Sequence, residues 1–267
     1  MWLPEYRLAL AVWTALAPVA FVVLMLGVQA PNYGRFFSNQ PREWFAPRSD
    51  VAWLIMESPN LVGAVMCLYW CAARAENTHG RPVRAESYVL VALFVVHYVN
   101  RALIYPLRMK NGQKRTSGFV TCISCVFCCC NSFFVLSGIL KYDAARVPAA
   151  SSVPFCGGLA LWCIGFLGNI HADHVLRTLR QHANDAAYRI PYGGMYRFVS
   201  CPNYLFEIIE WSGFALAAWR VQAAWAFALW TTANLLPRAH RVHQWYMSEF
   251  DSAYAALNRR ACVPFIF

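Results

Sequence analysis

The chain has 267 residues, of which 59% are hydrophobic and only 13% charged, with a formal net charge of +10. An average soluble domain is roughly a quarter charged, so the composition excludes a soluble globular protein. No basic stretch is both polar and interleaved with base-stacking aromatics, which argues against a nucleic-acid partner.

Apolar runs of about the 20 residues that cross a bilayer fall near 7 to 29, 51 to 73, 86 to 107, 117 to 140, 150 to 175, 204 to 219 and 221 to 237. They predict an all-α polytopic membrane protein with seven transmembrane helices, built as a single domain over 1–267. The first run follows Glu5 and has no small-residue cleavage site before Pro31, so it reads as a retained span rather than a signal peptide. The second run carries Glu57 and the third His97 and Arg101; Asp173 ends the fifth, and Glu207 and Glu210 lie in the sixth. An ionisable residue inside a span is expensive unless it is paired or neutral, and is by default a candidate functional site.

With seven spans, the loops 30 to 50, 108 to 116 and 176 to 203 and the tail after 237 share one side, with fifteen of the 23 Lys and Arg. The positive-inside rule places that side and the C-terminus in the cytosol and the N-terminus outside. The eleven cysteines include Cys122, Cys125, Cys128, Cys129 and Cys130 in one span. That spacing is helical rather than zinc-binding, without a second knuckle, and reads as small packing residues rather than a metal site.

Helical spacing sorts the polar residues into stripes. Asn169, Asp173, Arg177 and Arg180 follow one another by four, four and three, hence on one face; the bland alternative is an interfacial pairing of Asp173 with Arg177. Asn203, Glu207 and Glu210 repeat the pattern behind Pro202, which suits a first helical turn. Two acids three apart repel if both ionise, so one is protonated or paired with Arg from another helix; a helix–helix polar clasp is the structural alternative. Tyr98, Arg101 and Tyr105 share a face with His97 adjacent, and Gly193-Gly194 lies between Arg189 and Arg197. A Gly pair permits close backbone approach and Arg reads phosphate bidentately. No GxGxxG motif follows a strand, so a bound dinucleotide would sit outside a Rossmann domain.

Taken together, Trp53-Leu-Ile-Met-Glu-Ser-Pro59, Leu93-Phe-Val-Val-His-Tyr-Val-Asn-Arg101, Asn169-Ile-His-Ala-Asp-His-Val-Leu-Arg-Thr-Leu-Arg180, Tyr188-Arg-Ile-Pro-Tyr-Gly-Gly194, Asn203-Tyr-Leu-Phe-Glu-Ile-Ile-Glu-Trp211 and the ending Val263-Pro-Phe-Ile-Phe267 resemble the steroid 5α-reductases (3-oxo-5α-steroid 4-dehydrogenases) over nearly the whole chain. The resemblance implies an integral membrane oxidoreductase, in a bacterial inner membrane or the endoplasmic reticulum. It would take NADPH from the cytosolic side and reduce the 4,5 double bond of a 3-oxo-Δ4 steroid, with no obligatory protein partner. It implies a substrate half over roughly 1–145 and an NADPH-binding half over 146–267. By the same likeness Glu57 and Tyr98 polarise the 3-keto oxygen, while Trp53 and Phe127 contact substrate. Tyr33, Arg101, Tyr105, Asn131, Asn169, Asp173, Arg180, Arg189, Asn203, Glu207 and Tyr246 would contact cofactor. Met56 departs from the family, standing where a Gln often precedes the acid, and Val242-His243 offers one His where animal members have several.

The chemistry agrees with these assignments. Hydride addition to a conjugated enone puts negative charge on the carbonyl oxygen, which calls for preorganised donors in a dry cavity. A protonated Glu57 and the Tyr98 hydroxyl are such donors, and a carboxylic acid kept neutral in an apolar site is an established device. The alternatives are reduction of another enoyl or polyprenyl lipid, an isoprenylcysteine-type methyltransferase using S-adenosylmethionine, and a sterol-sensing or transport protein.

Overall fold

The computed structural model describes residues 3–27, 45–77, 83–109, 114–179 and 188–267. Among them every regular element is a helix, with only isolated bridges joining Arg48 to Arg115 and Val199 to Arg260. In chain order the α-helices are α1 (Leu3–Met25), α2 (Ser49–Asn77), α3 (Ala85–Val99), α4 (Tyr105–Leu107), α5 (Gly118–Ser137), α6 (Val153–Thr178), α7 (Pro202–Ala217) and α8 (Gln222–Ala255). A π-helical turn, Asn100–Ile104, joins α3 to α4 into one span, and another, Gly138–Tyr142, extends α5.

Among the described residues, five helical segments are long and apolar enough to cross a membrane: Leu3–Met25, Ser49–Ala73, Ala85–Leu107, Gly118–Tyr142 and Val153–Thr178. They match the first five expected spans to within a few residues. The last two expected spans are helices of different proportions. The 16 residues of α7 rise only about 24 Å, less than a typical hydrocarbon thickness of about 30 Å. The final helix does not stop at 237 but runs through Pro237 to Ala255, with a kink at Asp251 where φ is 48°.

Packing explains how the polar residues meet. On α1, Leu8, Val12, Leu16, Val19 and Val22 are exposed while Tyr6, Leu10 and Ala17 are buried, so the helix turns one apolar face outward, as a lipid-facing helix does. It is tied down by Tyr6, whose hydroxyl donates to the Phe134 carbonyl at 3.0 Å, and by Trp230 of α8, whose Nε1 donates to the Trp13 carbonyl at 2.9 Å. Helices α2 and α5 run parallel in register: Ser49 meets Thr116 at 2.8 Å, Cys128 Sγ lies 3.9 Å from Glu57, and Gly63 abuts Ser132. The cysteines of α5 divide: Cys128 is buried against Glu57, whereas Cys122 and Cys129 are exposed, so packing inside the protein accounts for only some of them.

The closest helix pair is antiparallel α6 and α7. A Cβ on Gly165 would lie 2.3 Å from the backbone nitrogen of Glu210, and one on Gly158 would lie 2.2 Å from that of Ala217. Small residues let helix backbones approach in this way, and the approach presses Glu210 toward α3. Gly165→Val is therefore expected to force the pair apart, at the upper end of the roughly 1–3 kcal/mol typical of overpacking. Thermal unfolding in detergent measures this; an unchanged midpoint would mean that the approach is not needed.

Candidate active site

The face-sharing stripes read from the sequence converge in three dimensions. Arg101, in the π turn after α3, donates from Nη1 to Asp173 of α6 at 3.3 Å and from Nη2 to Glu207 of α7 at 3.2 Å. Asn203, in the first turn of α7, donates to the other Asp173 oxygen at 3.3 Å. The Asn169 amide donates to the Asn203 carbonyl at 2.9 Å and reaches Glu207 at 3.4 Å. One cation thus holds two acids from two helices, and two amides fill the remaining positions, as a buried charge requires. The interfacial alternative for Asp173 is not realised: Arg177 bonds His174 at 2.9 Å instead. Trp53 and Tyr105 meet edge to face at 5.2 Å, and the Arg101 guanidinium lies 5.0 Å from each ring, within cation–π range.

Beside this network is a cavity of about 420 Å³. Glu57, His97, Tyr98, Arg101 and Glu207 form its polar side, and Trp13, Phe127, Trp211, Phe227 and Trp230 its aromatic walls. A mostly apolar cavity of a few hundred Å³ with a few converging polar groups is the usual form of a small-molecule site. Among the described residues no Lys or Arg is within ion-pair distance of Glu57, and the Cys128 thiol donates to its carboxyl at 3.9 Å. The two acids of α7 have separate partners. Glu207 goes to Arg101, and Glu210, wholly buried, meets His97 Nδ1 at 2.7 Å.

On the side of the network where α6 ends, the segment from Tyr188 wraps over α8. Tyr188 packs edge-on to Trp245, the Tyr196 hydroxyl donates to the Ala172 carbonyl at 3.3 Å, and Arg259 Nη1 donates to the Pro191 carbonyl at 2.8 Å. Gly193 and Gly194 both have positive φ, 93° and 51°, a conformation that other L residues adopt only with strain. The chain end returns to the same place. Ser200 and Cys201 donate their backbone N–H groups to the Arg260 and Ala261 carbonyls, and Tyr246 stacks on Tyr254 at 4.9 Å in a small separate core.

Ser200 Oγ accepts from the Tyr254 hydroxyl at 2.7 Å and meets His243 Nδ1 at 2.6 Å. Burial, with His240 and Arg260 nearby, holds His243 below its ordinary value of 6.5. Below that value the unfolded chain binds a proton that the folded chain refuses, so stability falls as pH drops. Melting of the wild type at pH 7.5 and 5.5 is expected to show a larger loss than melting of His243→Gln over the same interval; equal losses would exclude this histidine as a source.

The predicted residues are distributed as follows. Glu57, Tyr98, Phe127, Arg101 and Glu207 line the cavity, and Asn169, Asp173 and Asn203 complete the network behind it. Trp53 and Tyr105 pack on Arg101 and are not among the lining residues. Asn131 is buried on α5 with neither side-chain polar atom partnered. Tyr246 belongs to the terminal core, Arg189 is exposed, and Tyr33 and Arg180 lie outside the described residues. The sequence reading missed the α8 wall of Thr231, Asn234 and Arg238, although their steps of three and four are a helical stripe that could have shown it. It also missed the pairing of Glu210 with His97, which only the fold brings together.

A family model described as 3-oxo-5-alpha-steroid 4-dehydrogenase matches residues 114–267. The chain is 35% identical over 252 residues to 3-oxo-5-alpha-steroid 4-dehydrogenase 1 of Bos taurus, covering 94% of this chain and 93% of the relative. It is 39% identical over 217 residues to the Homo sapiens protein of that name, covering 81% and 79%, respectively. It is 32% identical over 266 residues to a steroid 5-alpha-reductase of Gossypium hirsutum, covering 98% and 94%.

Proposed function

Because the chain belongs to the 3-oxo-5-alpha-steroid 4-dehydrogenase family, we propose that it reduces the 4,5 double bond of a 3-oxo-Δ4 steroid, using NADPH. The observation that carries this reading is the placing of Glu57 and Tyr98 on the wall of one mostly apolar cavity beside the Arg101 network. The 3-keto oxygen sits between the Glu57 carboxyl and the Tyr98 hydroxyl. Set inside a membrane span with no Lys or Arg among the described residues within ion-pair distance, Glu57 is the neutral acid and donates a hydrogen bond, as does Tyr98. Both bonds strengthen as charge develops on that oxygen, which is where such donors lower a barrier. The aromatic walls exclude water and hold the flat ring system.

The donor set fits a nicotinamide dinucleotide. Arg101 and Asn203 have N–H groups beyond those they give to Asp173 and Glu207, the two carboxylates and the Asn169 amide oxygen can accept, and the family's oxidoreductase chemistry requires a reductant. When bound, NADPH supplies the hydride that goes to C5. Arg101 fixes the acids that face it, and the exposed Arg189 beside the Gly193–Gly194 turn suits a phosphate. Tyr105, Tyr246, Asn131, Tyr33 and Arg180 remain proposed cofactor contacts, and Trp53 and Phe127 proposed substrate contacts. We assign seven spans, with the short α7 and the first half of α8 completing the five longer ones, the N-terminus outside and the cofactor reached from the cytosol. The excess of Lys and Arg on that side supports the orientation.

The test is to incubate the purified protein with NADPH and a Δ4-3-ketosteroid and to identify the product by mass and ring-junction stereochemistry. A 5α-dihydro product is expected. Binding of S-adenosylmethionine with no NADPH oxidation would instead favour the methyltransferase reading.

A further inference from the structure

His97 and Glu210 form a unit that the proposed roles of Glu57 and Tyr98 do not use. His97 lines the cavity next to Tyr98, with the two rings edge to face at 4.9 Å, and its ring also meets that of Trp211 edge to face at 4.6 Å. Its Nδ1 is engaged by Glu210 at 2.7 Å, which leaves Nε2 as the ring nitrogen available to the cavity. Glu210 has no exposed surface, and its second oxygen, Oε2, has no hydrogen-bond partner. Its neighbour Glu207 is taken by Arg101, so no Arg neutralises Glu210 among the described residues.

A fully buried carboxylate with an orphaned oxygen is far costlier than a neutral carboxylic acid in the same place. The arrangement therefore favours Glu210 as the acid, donating its proton to Nδ1. That hydrogen bond fixes the imidazole tautomer, with the N–H on Nε2 facing the cavity. A third group that orients a histidine in this way is a recurring device of proton transfer.

Resting on the steroid-reducing reading above, we propose that His97, backed by Glu210, is the acid that protonates C4 after C5 has been reduced. The enolate electron pair forms the C4–H bond with the Nε2 proton, and the C3 carbonyl re-forms. As Nε2 gives up its proton, Nδ1 takes the one held by Glu210. The imidazole stays neutral with its tautomer reversed, and Glu210 is left as a carboxylate bonded to Nδ1–H. Once the product has left, a solvent proton entering through the emptied cavity returns the pair to its first state. The step needs no oxidant or further reductant. Glu57 and Tyr98 hold the oxygen, while His97 serves the carbon.

The proton step can be observed without the cofactor, because the group that protonates C4 also removes a proton from it. A saturated 3-oxo-5α-steroid is incubated with the full-length enzyme in deuterium oxide without NADPH, and deuterium at C4 is followed by mass spectrometry. The wild type is expected to catalyse exchange. His97→Asn and His97→Gln are expected to slow it by about 100-fold or more, within the range for loss of a general acid–base group, while steroid binding, measured separately, persists. Glu210→Gln can still donate a hydrogen bond to Nδ1 but has no proton to pass on, so it is expected to fold, bind steroid and lose exchange. This separates proton supply from packing. Exchange at wild-type rates in His97→Asn or Glu210→Gln would overturn the proposal, as would a wild type that reduces the Δ4 steroid yet exchanges nothing. A wild type that neither binds nor reduces steroid would remove the reading on which the proposal rests, and the proposal with it.

Discussion

Glu57→Ala is expected to lower kcat for the Δ4-3-ketosteroid by about 100- to 1,000-fold, the usual effect of deleting one oxyanion donor, with a much smaller loss in Glu57→Gln. The side chain lines the cavity with Tyr98 and accepts from the weakly polar Cys128 thiol at 3.9 Å. On the proposed assignment, an amide keeps the shape and an N–H donor, whereas alanine would leave the 3-keto oxygen to Tyr98 alone. The difference is expected in kcat rather than KM, because the hydrogen bond strengthens with charge in the transition state. Steady-state kinetics of the two variants check this; equal rates in both and in the wild type would remove Glu57 from the chemistry.

Arg101→Met is expected to act on stability and cofactor binding together. The guanidinium faces Asp173 at 3.3 Å and Glu207 at 3.2 Å, and all three side chains are largely buried. Removing one partner of a buried ion pair typically costs about 3–5 kcal/mol, because the remaining charge stays buried and unpaired; here two acids lose the same partner. Arg101→Lys is expected to recover only part, since a single ammonium does not span both carboxylates as a planar fork does. Thermal unfolding and the KM for NADPH, measured together, check this. An unchanged midpoint with an unchanged KM would show that the network is dispensable to both.

Hydropathy and helical period carried most of the fold. The first five spans lie where the apolar runs lie, because a lipid-facing helix must be apolar along its whole length. The end of α8 was not legible, since a polar helix packed on the terminal segment leaves no hydropathy signal; its partners are Tyr254, Ala261 and Cys262, distant in sequence or past a kink. In the site, stripe spacing brought out Asn169, Asp173, Asn203 and Glu207 because each lies on a regular helix and faces inward. Partners were a different matter. Period three or four shows that Glu207 and Glu210 share a side but not that one meets an arginine and the other a histidine one turn apart on α3 and its π turn. Trp53 illustrates the same limit: its apolar span was legible, but its stacking on Arg101 depends on how α2 is rotated about its own axis.

The widened turn at Asn100–Ile104 also affects how this protein can be compared or rebuilt. Such a turn accommodates one residue more than the regular helix, and each residue of an α-helix advances the azimuth by about 100°. A donor segment of equal greasiness but without that extra residue would cross the bilayer just as well, yet present Tyr105 and everything after it to a different quadrant. Chimeras joined within this helix should therefore be matched by counting from both ends, with the junction kept clear of 100 to 104.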